Sequence, residues 1–468
     1  EMPAKPAAAK KEEPPKKEEP PKQFKIFIYE LDSYLGKVLG ERAKSHAAEG
    51  EQPIIAGCLQ DPRNRPTWAD EVIRGDDLLA LKKALLSSDV IVYDLSSSPR
   101  EATSALKVLL KYDYAENPED ETEKVLIGVS SLLSWSGNSS PLPPDGSEGT
   151  PLELPVLSAV NLEDRKPHPN YKAQVTVENL VINKGNIKKD KLKTYVIWSG
   201  VLYGCGEGVL HSLFRCSWTG SHKALPVVGS GKNKVPMIHI SDLSGVVLAV
   251  AHKRPTEFNT FVAVDHADTT LLQVVTSIST VLQEGEVRTC SRDEYLAFMT
   301  EQEEPHLHSI YLQLNLKMNF ARGDAIGYGP EGEAWRYKTG LVDSISKVVD
   351  EYRTWRSLQP MRVLFFGPPA SGWVATSEGR LVLSRDFAEE YQVTYIDPQA
   401  VAEEYAKVES LELGQRIREA LEAGGAVPPE LVREAVQRRL QTPRCRNQGW
   451  VLDGYPATRE EAELLFDV

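Results

Sequence analysis

A glycine-rich turn directly after a buried strand is the feature that most constrains the fold of this chain. Residues 361–366 are a short apolar run that predicts a strand, and residues 367–372 read Gly-Pro-Pro-Ala-Ser-Gly. Such a turn normally aims backbone N–H groups at a phosphate, and a lysine neutralises the phosphate charge. Trp373 occupies the lysine position, and Ala375 occupies the hydroxyl position. We expect a helix to begin at Trp373 and the loop to keep the shape of a phosphate site without its ligand groups.

Composition narrows the class of protein. A chain of 468 residues, 41% hydrophobic and 26% charged, predicts two or three globular domains. No apolar run is long enough to span a bilayer, so we expect no membrane segment. The net charge of −13 argues against nucleic acid as a partner. The five cysteines are scattered without CxxC spacing, which predicts neither zinc nor disulfides and favours a reducing compartment.

The two ends of the sequence also carry expectations. Residues 1–22 are Lys, Glu, Pro and Ala with a single large apolar side chain, Met2. Such a segment cannot bury enough surface to offset its ordering entropy, so we expect a disordered linker or extended arm. The chain begins with Glu1 and has no signal-peptide pattern, which suggests a piece of a longer polypeptide.

Between the two ends, apolar runs of strand length alternate with segments of helical spacing. Strands are predicted near residues 26–28, 89–93, 124–129 and 193–198, and a helix is predicted over residues 70–86. This alternation predicts an α/β fold with a parallel sheet. An amphipathic helix over residues 341–358 is expected to join two domains. The expected division is 1–22 linker, 23–330 first domain, 331–360 connector and 361–468 second domain.

The first domain resembles the extended short-chain dehydrogenase/epimerase family. The resemblance rests on Ile-Phe-Ile at 26–28, Tyr-Leu-Gly at 34–36, Val-Leu-Tyr-Gly at 201–204, Gly-Ser-Gly at 229–231 and Ile-His-Ile-Ser-Asp-Leu at 238–243. It implies a Rossmann-like fold with a dinucleotide loop near residues 29–36. Aligned on Gly36, the first two loop glycines fall on Glu30 and Ser33. Because a carboxylate repels a pyrophosphate, we expect a degenerate loop that binds no cofactor.

The catalytic residues of that family are also missing. Its tyrosine precedes a lysine by four residues; the best candidate here is Tyr171, and Val175 stands four residues later. We interpret Tyr171 as a surface or packing tyrosine. His306 and His308 form an HxH, but a metal site needs three or four converging ligands, so we expect exposed loop residues and no metal. His239, within an apolar strand, is expected to be a hydrogen-bonded core histidine.

The second domain resembles adenylate kinase, a P-loop enzyme. The matching segments are residues 367–372, Leu-Gly at 413–414 with Ile-Arg at 417–418, and Gly-Trp-Val-Leu-Asp-Gly-Tyr-Pro at 449–456. The resemblance implies a vestigial phosphate loop whose remaining positions are Gly367, Ser371, Gly372 and Trp373. The family's lid would lie beyond Val468, so the domain is expected to be incomplete.

The resemblance also implies which ligand groups are kept and lost. Asp453 matches the carboxylate that helps to hold magnesium in the family. Two arginines that would meet the AMP phosphate fall on Glu403 and Ala457. Phosphoryl transfer depends on positioning and on neutralising charge, so these losses predict no catalysis. The alternative is a shifted alignment in which Arg459 or Arg444 substitutes.

The order of the two domains resembles a ciliary type of adenylate kinase in which an epimerase-like domain comes first. That resemblance implies a structural or adaptor protein of the axoneme of motile cilia or flagella, plausibly of the central apparatus, whose partners are other axonemal proteins. Direct contact with tubulin stays open. One alternative is a nucleoside monophosphate kinase that makes two ADP from ATP and AMP. A further alternative, an NAD(P)-binding sensor, is opposed by Glu30 and Ser33.

Overall fold

The computed structural model describes residues 24–46, 52–112, 123–141, 154–160, 162–184, 191–283, 285–367, 373–376, 379–408, 411–423 and 426–466. The predicted linker, residues 1–22, lies outside these ranges. The strands are β1 (Lys25–Ile28), β2 (Ile54–Cys58), β3 (Glu71–Ile73), β4 (Val90–Asp94), β5 (Lys124–Ser131), β6 (Val156–Leu157), β7 (Leu192–Ser199), β8 (Val201–Tyr203), β9 (Leu225–Val228), β10 (Met237–His239), β11 (Thr260–Ala263), β12 (Val287–Cys290), β13 (Lys317–Met318), β14 (Met361–Phe365), β15 (Trp373–Thr376), β16 (Gly379–Val382), β17 (Thr394–Ile396) and β18 (Gly449–Asp453).

The α-helices follow in the same chain order. They are α1 (Tyr34–Ser45), α2 (Leu78–Ser87), α3 (Pro99–Lys111), α4 (Lys172–Lys184), α5 (His211–Thr219), α6 (Ile240–Lys253), α7 (Leu271–Leu282), α8 (Arg292–Glu301), α9 (His306–Leu312), α10 (Gly323–Ile326), α11 (Gly340–Asp343), α12 (Ile345–Trp355), α13 (Leu383–Glu390), α14 (Pro398–Ala406), α15 (Glu412–Glu422), α16 (Pro429–Leu440), α17 (Pro443–Asn447) and α18 (Arg459–Phe466). None of the helices in the described ranges is long and apolar enough to cross a bilayer.

A parallel sheet of seven strands organises the first domain. Its order is β11-β7-β5-β4-β1-β2-β3, and every neighbouring pair runs parallel. The central strands are buried along most of their length; all eight residues of β5 are buried. Sheets covered on both faces by helices require such continuous apolar strands. The predicted α/β class and parallel sheet are confirmed.

A second, smaller core lies beside the sheet and includes the connecting helix. On α12 the buried side chains are Ile345, Val348, Val349 and Tyr352. They join a cluster with α5 and α7, in which the ring of Tyr352 lies 5.0 Å from that of Phe214. The amphipathic segment therefore packs onto the first domain, and its helix is interrupted near Ser344, between α11 and α12.

The second domain is built on a three-stranded parallel sheet in the order β14-β18-β17. The strand predicted before the glycine turn is present as β14, and residues 449–453 of the segment that matches adenylate kinase form β18. One apolar cluster, from α14, α15, α16 and β18, covers one face, and a smaller cluster with Ala388 and Val393 covers the other.

The two domains contact each other through side-chain amides. Asn447 Nδ2 donates hydrogen bonds to the carbonyl oxygens of Val281 (3.1 Å) and Leu282 (3.2 Å). Gln448 Nε2 donates to the carbonyl oxygen of Ser217 at 3.4 Å. Asn447 and Gln448 are both buried, so these bonds are shielded from water.

The prediction of a helix over residues 70–86 is wrong for the first half of that range. Residues Glu71–Ile73 form β3 at the sheet edge, and the helix α2 begins at Leu78. Asp77 ends the intervening turn and caps α2, accepting a hydrogen bond from the Ala80 N–H at 2.9 Å. The apolar spacing alone did not separate a short edge strand from the helix that follows it.

Candidate functional sites

The first candidate site is the crevice at the carboxyl end of β1, where a Rossmann fold would hold a dinucleotide. Glu30, which follows β1, has φ of 62°, a left-handed conformation that favours glycine. Its half-buried carboxylate accepts a hydrogen bond from Ser97 Oγ at 3.0 Å. Burial raises the pKa of Glu30, and the nearby Asp94 and Asp32 add to that rise. The backbone at Glu30 has the conformation of a loop glycine, but this residue carries a carboxylate side chain.

The start of α1 satisfies its own N–H groups. Ser33 caps the helix, and its hydroxyl oxygen accepts a hydrogen bond from the Gly36 N–H at 3.0 Å. A Cβ on Gly36 would lie 2.2 Å from the carbonyl oxygen of Glu30, so a side chain cannot fit there. Ser33 therefore uses an N–H group that a pyrophosphate would need, while Gly36 keeps the tight turn.

Further carboxylates surround the same crevice. Asp32 accepts hydrogen bonds from the backbone N–H groups of Gln60 (2.8 Å) and Asp61 (2.9 Å), which ties the loop after β1 to the segment after β2. Asp94, at the end of β4, is partly buried, and burial raises its pKa. These acidic groups with Glu30 oppose the binding of a dianionic pyrophosphate on electrostatic grounds.

Tyr171 packs inside the first domain. It directly precedes α4, is only 3% exposed, and its hydroxyl lies 3.5 Å from that of Tyr311. The first residue of α4, Lys172, is exposed, and Val175 stands where the family has its lysine. The interpretation of Tyr171 as a packing tyrosine is confirmed, and the surface position is excluded.

A buried ion pair joins α4 to the segment before it, and no sequence pattern predicted this pair. Glu178 on α4 is fully buried and pairs with Arg165, whose side chain is 6% exposed. Its Oε1 also accepts hydrogen bonds from Ser130 and from Ser134 (2.5 Å). The Arg165 guanidinium lies 4.9 Å from the centre of the Trp198 ring. This network satisfies the buried carboxylate of Glu178 with an ion pair and internal hydrogen bonds.

Glu351 on α12 fastens the connecting helix to the first domain. Its Oε2 accepts a hydrogen bond from His239 Nε2 at 2.8 Å, and its Oε1 accepts one from the Tyr337 hydroxyl at 2.7 Å. Arg336 lies 2.8 Å from the same Oε1. Burial opposes ionisation of Glu351, but these partners outweigh it and lower its pKa.

The histidine in this cluster has the hydrogen bonds of a core residue. Ligand atoms of Cys205, His239 and Glu351 lie within 4.8 Å of one another, a spacing that a metal ion would accept. However, His239 Nδ1 accepts a hydrogen bond from the Ser241 N–H at 3.1 Å, which leaves the proton on Nε2. A protonated Nε2 cannot ligate a metal, so the cluster fits hydrogen bonding. The prediction of a hydrogen-bonded core histidine is confirmed.

The HxH segment differs from its prediction. His306 and His308 are not in a loop but in the first turn of α9. His306 is exposed, whereas His308 is partly buried and lies 3.1 Å from Glu304. The short helix turns the two side chains away from a common point, since residues two apart do not share a helix face.

The loop after β8 has an unusual backbone. All five residues from Gly204 to Gly208 have positive φ, including Cys205 (55°) and Glu207 (70°). Glu207 is fully buried, and its Oε2 accepts a hydrogen bond from the Gly204 N–H at 3.1 Å. Its Oε1 has no hydrogen-bond partner among the described residues. Burial raises the pKa of Glu207 to about 8.

This shifted pKa predicts a pH-dependent stability. Since the folded pKa of about 8 lies above the unfolded value of about 4.3, the folded protein holds a proton that the unfolded chain releases. The stability from this group is therefore present below pH 4 and is lost as pH rises to 8. We expect Glu207→Gln to become more stable relative to the unchanged protein over that range, by at most about 1.4 kcal/mol per pH unit.

The measurement is the melting temperature of both proteins at several pH values between 5 and 9. The matched control is Glu257→Gln, which changes an exposed carboxylate of the same domain. Its difference from the unchanged protein should stay constant with pH. A constant difference for Glu207→Gln as well would contradict the buried, protonated state.

The segment that follows the kinase-like loop differs from its prediction, beginning at Trp373. Ser371 and Gly372 lie outside the described residues. Beyond them Trp373–Thr376 is a strand, β15, paired antiparallel with Gly379–Val382. The prediction that a helix begins at Trp373 is therefore wrong. In the described residues the next helix is α13. The local sequences Trp-Val-Ala-Thr and Gly-Arg-Leu-Val favour strands because they contain β-branched and aromatic residues.

Asp453 is hydrogen-bonded to two hydroxyl groups of its own domain. It ends the central strand β18, and its Oδ2 accepts hydrogen bonds from Ser384 Oγ (2.6 Å) and from the Tyr395 hydroxyl (2.8 Å). Burial and the bond to Asp453 raise the pKa of Tyr395 to about 12. Both hydroxyls converge on Oδ2, so a magnesium ion at that oxygen would have to displace them.

The remaining phosphate-side positions lack cations. Glu403 on α14 and Ala457 are both exposed. Of the two arginines that a shifted alignment would use, Arg459 pairs with Glu463 at 2.7 Å on its own helix. Arg444 Nε donates to Gln448 Oε1 at 3.2 Å, beside the first domain. Neither arginine bonds to Asp453.

Comparison with known proteins gives relatives of most of the chain and relatives of a shorter part of it. No protein-family model matches the chain. Adenylate kinase 7 of Mus musculus is 29% identical over 411 residues, which cover 82% of this chain and 63% of that protein. This chain thus spans less than two thirds of the length of that relative. The adenylate kinase of Thermotoga neapolitana is 36% identical over 103 residues, which cover 22% of this chain and 43% of that enzyme.

The first domain also has a structural counterpart. The structure of MoeE5 in complex with UDP-glucose and NAD has a TM-score of 0.50 and 15% identity, and the match covers 72% of this chain and all of that one (100%). At such low identity the likeness shows the fold alone. Over most of its length the chain is similar to adenylate kinase 7, with a Rossmann-like first domain followed by a domain that is similar to adenylate kinases.

Proposed function

We propose that this chain is a structural or adaptor component of the axoneme of motile cilia or flagella, in the central apparatus, built from two enzyme folds without their chemistry. The observation that carries the proposal is the engaged Asp453, whose two hydroxyl donors come from inside its own domain. Together with Trp373 in the lysine position, it leaves the kinase-like domain without the groups that position a triphosphate.

The first domain supports the same proposal. Glu30 has the backbone conformation of a loop glycine but carries a half-buried carboxylate. Val175 stands where the family has its lysine, and the buried Arg165–Glu178 pair is held by internal bonds. A fold that keeps its packing while its ligand groups are exchanged serves well as a rigid block with surfaces for neighbours.

The axonemal location is supported by similarity alone. The relative from Mus musculus matches 82% of the chain, and the domain order resembles the ciliary type of adenylate kinase. Its partners are then other axonemal proteins. Nucleoside monophosphate kinase activity is the second candidate, and the retained carboxylate of Asp453 with the turn at Gly454 favours it. The lost cations at Trp373, Glu403 and Ala457 oppose it.

Localisation in flagella tests this proposal. A tagged copy of the chain, expressed in a flagellated cell, should remain with the axoneme after detergent extraction. Crosslinking should join its lysines to proteins of the central apparatus. Quantitative release with the detergent-soluble fraction would contradict the structural role.

Titration with NADH and NADPH tests the first domain. Because Glu30 and its acidic neighbours oppose a pyrophosphate, we expect no saturable binding by the 468-residue chain. A dehydrogenase with an intact glycine loop is the positive control in the same fluorescence titration. Micromolar affinity, about −8 kcal/mol, would show that the crevice still takes a dinucleotide.

A further inference from the structure

A groove with a volume of about 450 Å³ lies between the two domains. Gly220 and Ser221 line it from the first domain, and Arg385, Gln392 and Arg444 line it from the second. Pockets that bind small molecules have volumes of roughly 300–1,000 Å³ and occur preferentially at domain boundaries. The groove is therefore of a size that suits a nucleoside or sugar derivative.

Two arginines give the groove its chemistry. The Arg385 guanidinium lies 5.2 Å from the centre of the Tyr395 ring, and Arg444 is bonded to the neutral Gln448. Within the described parts of the chain, neither arginine has a carboxylate within 4.0 Å. Glu389 also lines the groove, four residues after Arg385 on α13, without pairing with it.

The walls of the groove are held in place by the domain contact. Arg444 belongs to α17, and the residues that end this helix, Asn447 and Gln448, bond to backbone carbonyls of the first domain. Gly220 has φ of 65°, and a Cβ built on it would lie 2.9 Å from Gln448 Nε2 and 3.6 Å from the nearest guanidinium nitrogen of Arg444. The absence of a side chain at Gly220 leaves room for the amide of Gln448, whose Oε1 accepts a hydrogen bond from Arg444.

We propose that this groove binds a small molecule that carries one phosphate monoester, such as a sugar phosphate or a nucleoside monophosphate. A guanidinium group presents parallel N–H donors that match the oxygens of a phosphate. Gln392 and Ser221 can bond to the rest of the ligand, and Glu389 can accept from its hydroxyl groups. Because Glu389 repels further negative charge, the groove favours one phosphate over a polyphosphate chain. The proposal does not depend on the axonemal role.

Titration of the 468-residue chain with inorganic phosphate, glucose 6-phosphate and AMP tests the proposal, with heat of binding and melting temperature as readouts. We expect saturable binding of at least one monoester, and no binding of glucose or adenosine. Arg385→Gln and Arg444→Gln should each weaken binding about tenfold or more, since each removes charge-assisted hydrogen bonds. Arg446→Gln is the matched control, because Arg446 is exposed on the same helix as Arg444 but does not line the groove.

The arginine variants distinguish binding in the groove from binding at another surface of the chain. Unchanged melting temperatures of the ligand-free variants show that they are folded. Monoester binding that survives both arginine substitutions would place the ligand elsewhere and overturn the proposal. Failure of every phosphate probe at millimolar concentration, or binding of an acidic peptide alone, would also overturn it. Each of these failures would leave the proposed structural role intact.

Discussion

Replacing Glu178 with glutamine should lower the free energy of unfolding of the first domain by about 3–5 kcal/mol. Glu178 is fully buried and bonds to Arg165, Ser130 and Ser134. Glutamine keeps the shape but removes the charge, so Arg165 would stay inside the protein without a counter-ion. The cost of an uncompensated buried charge far exceeds that of a lost surface ion pair.

Urea unfolding followed by tryptophan fluorescence measures this effect. Trp198 stacks near Arg165, and its ring centre lies 5.6 Å from that of Trp135, so emission reports on this region. The control is Asp76→Asn, which removes the partner of Arg74 in an exposed pair and should leave the transition midpoint unchanged. The double variant Arg165→Met, Glu178→Gln should be more stable than Glu178→Gln alone. Equal midpoints for Glu178→Gln and the unchanged protein would contradict the buried-pair account.

Restoring the two lost side chains of the phosphate loop should not restore catalysis. In the variant Trp373→Lys, Ala375→Thr, both residues lie on β15, whose backbone is extended and paired with β16. A phosphate site needs the free N–H groups of a helix N-terminus after the glycine turn. We therefore expect no phosphoryl transfer and no rise in melting temperature with ATP and magnesium.

The comparison needs two further variants. Adding Ser384→Ala and Tyr395→Phe frees Asp453 from both hydroxyl donors. We expect this fourfold variant to show no phosphoryl transfer either, because Glu403 and Ala457 supply no cation. A background with Arg385→Gln and Arg444→Gln keeps binding in the interdomain groove from being mistaken for binding at the loop. ATP-dependent stabilisation that appears only after Trp373→Lys would show that the loop can form a phosphate site.

The fold was largely predictable from sequence because buried parallel strands are continuous apolar runs. The strands at β1, β4, β5 and β7 stood out in this way. The replacement of loop glycines by Glu30 and Ser33 was also readable from the sequence, and the absence of a dinucleotide stays a prediction. The side-chain network at Glu178 was not predictable, because its partners lie 13 to 48 residues away and meet only in the folded protein.

Two wrong predictions, the helix over residues 70–86 and the helix at Trp373, both concern short strands. The edge strand β3 and the hairpin of β15 and β16 are three to four residues long, too short for apolar spacing to reveal them. At Trp373 the expectation of a helix came from the adenylate kinase resemblance, whereas the residues themselves favour strands. The hydroxyl donors to Asp453 were missed because Ser384 and Tyr395 are 69 and 58 residues away from it in the chain and meet it only in the folded protein.

Phosphoryl transfer from ATP to AMP by the unchanged 468-residue chain tests the central claim most directly. The assay measures ADP formation with magnesium present, beside the active adenylate kinase of Thermotoga neapolitana as positive control. The account predicts no turnover above a blank without protein, because the positions of Lys and both arginines hold Trp373, Glu403 and Ala457. ADP formation that scales with the concentration of the chain and disappears with Asp453→Asn would contradict the account and establish a working kinase.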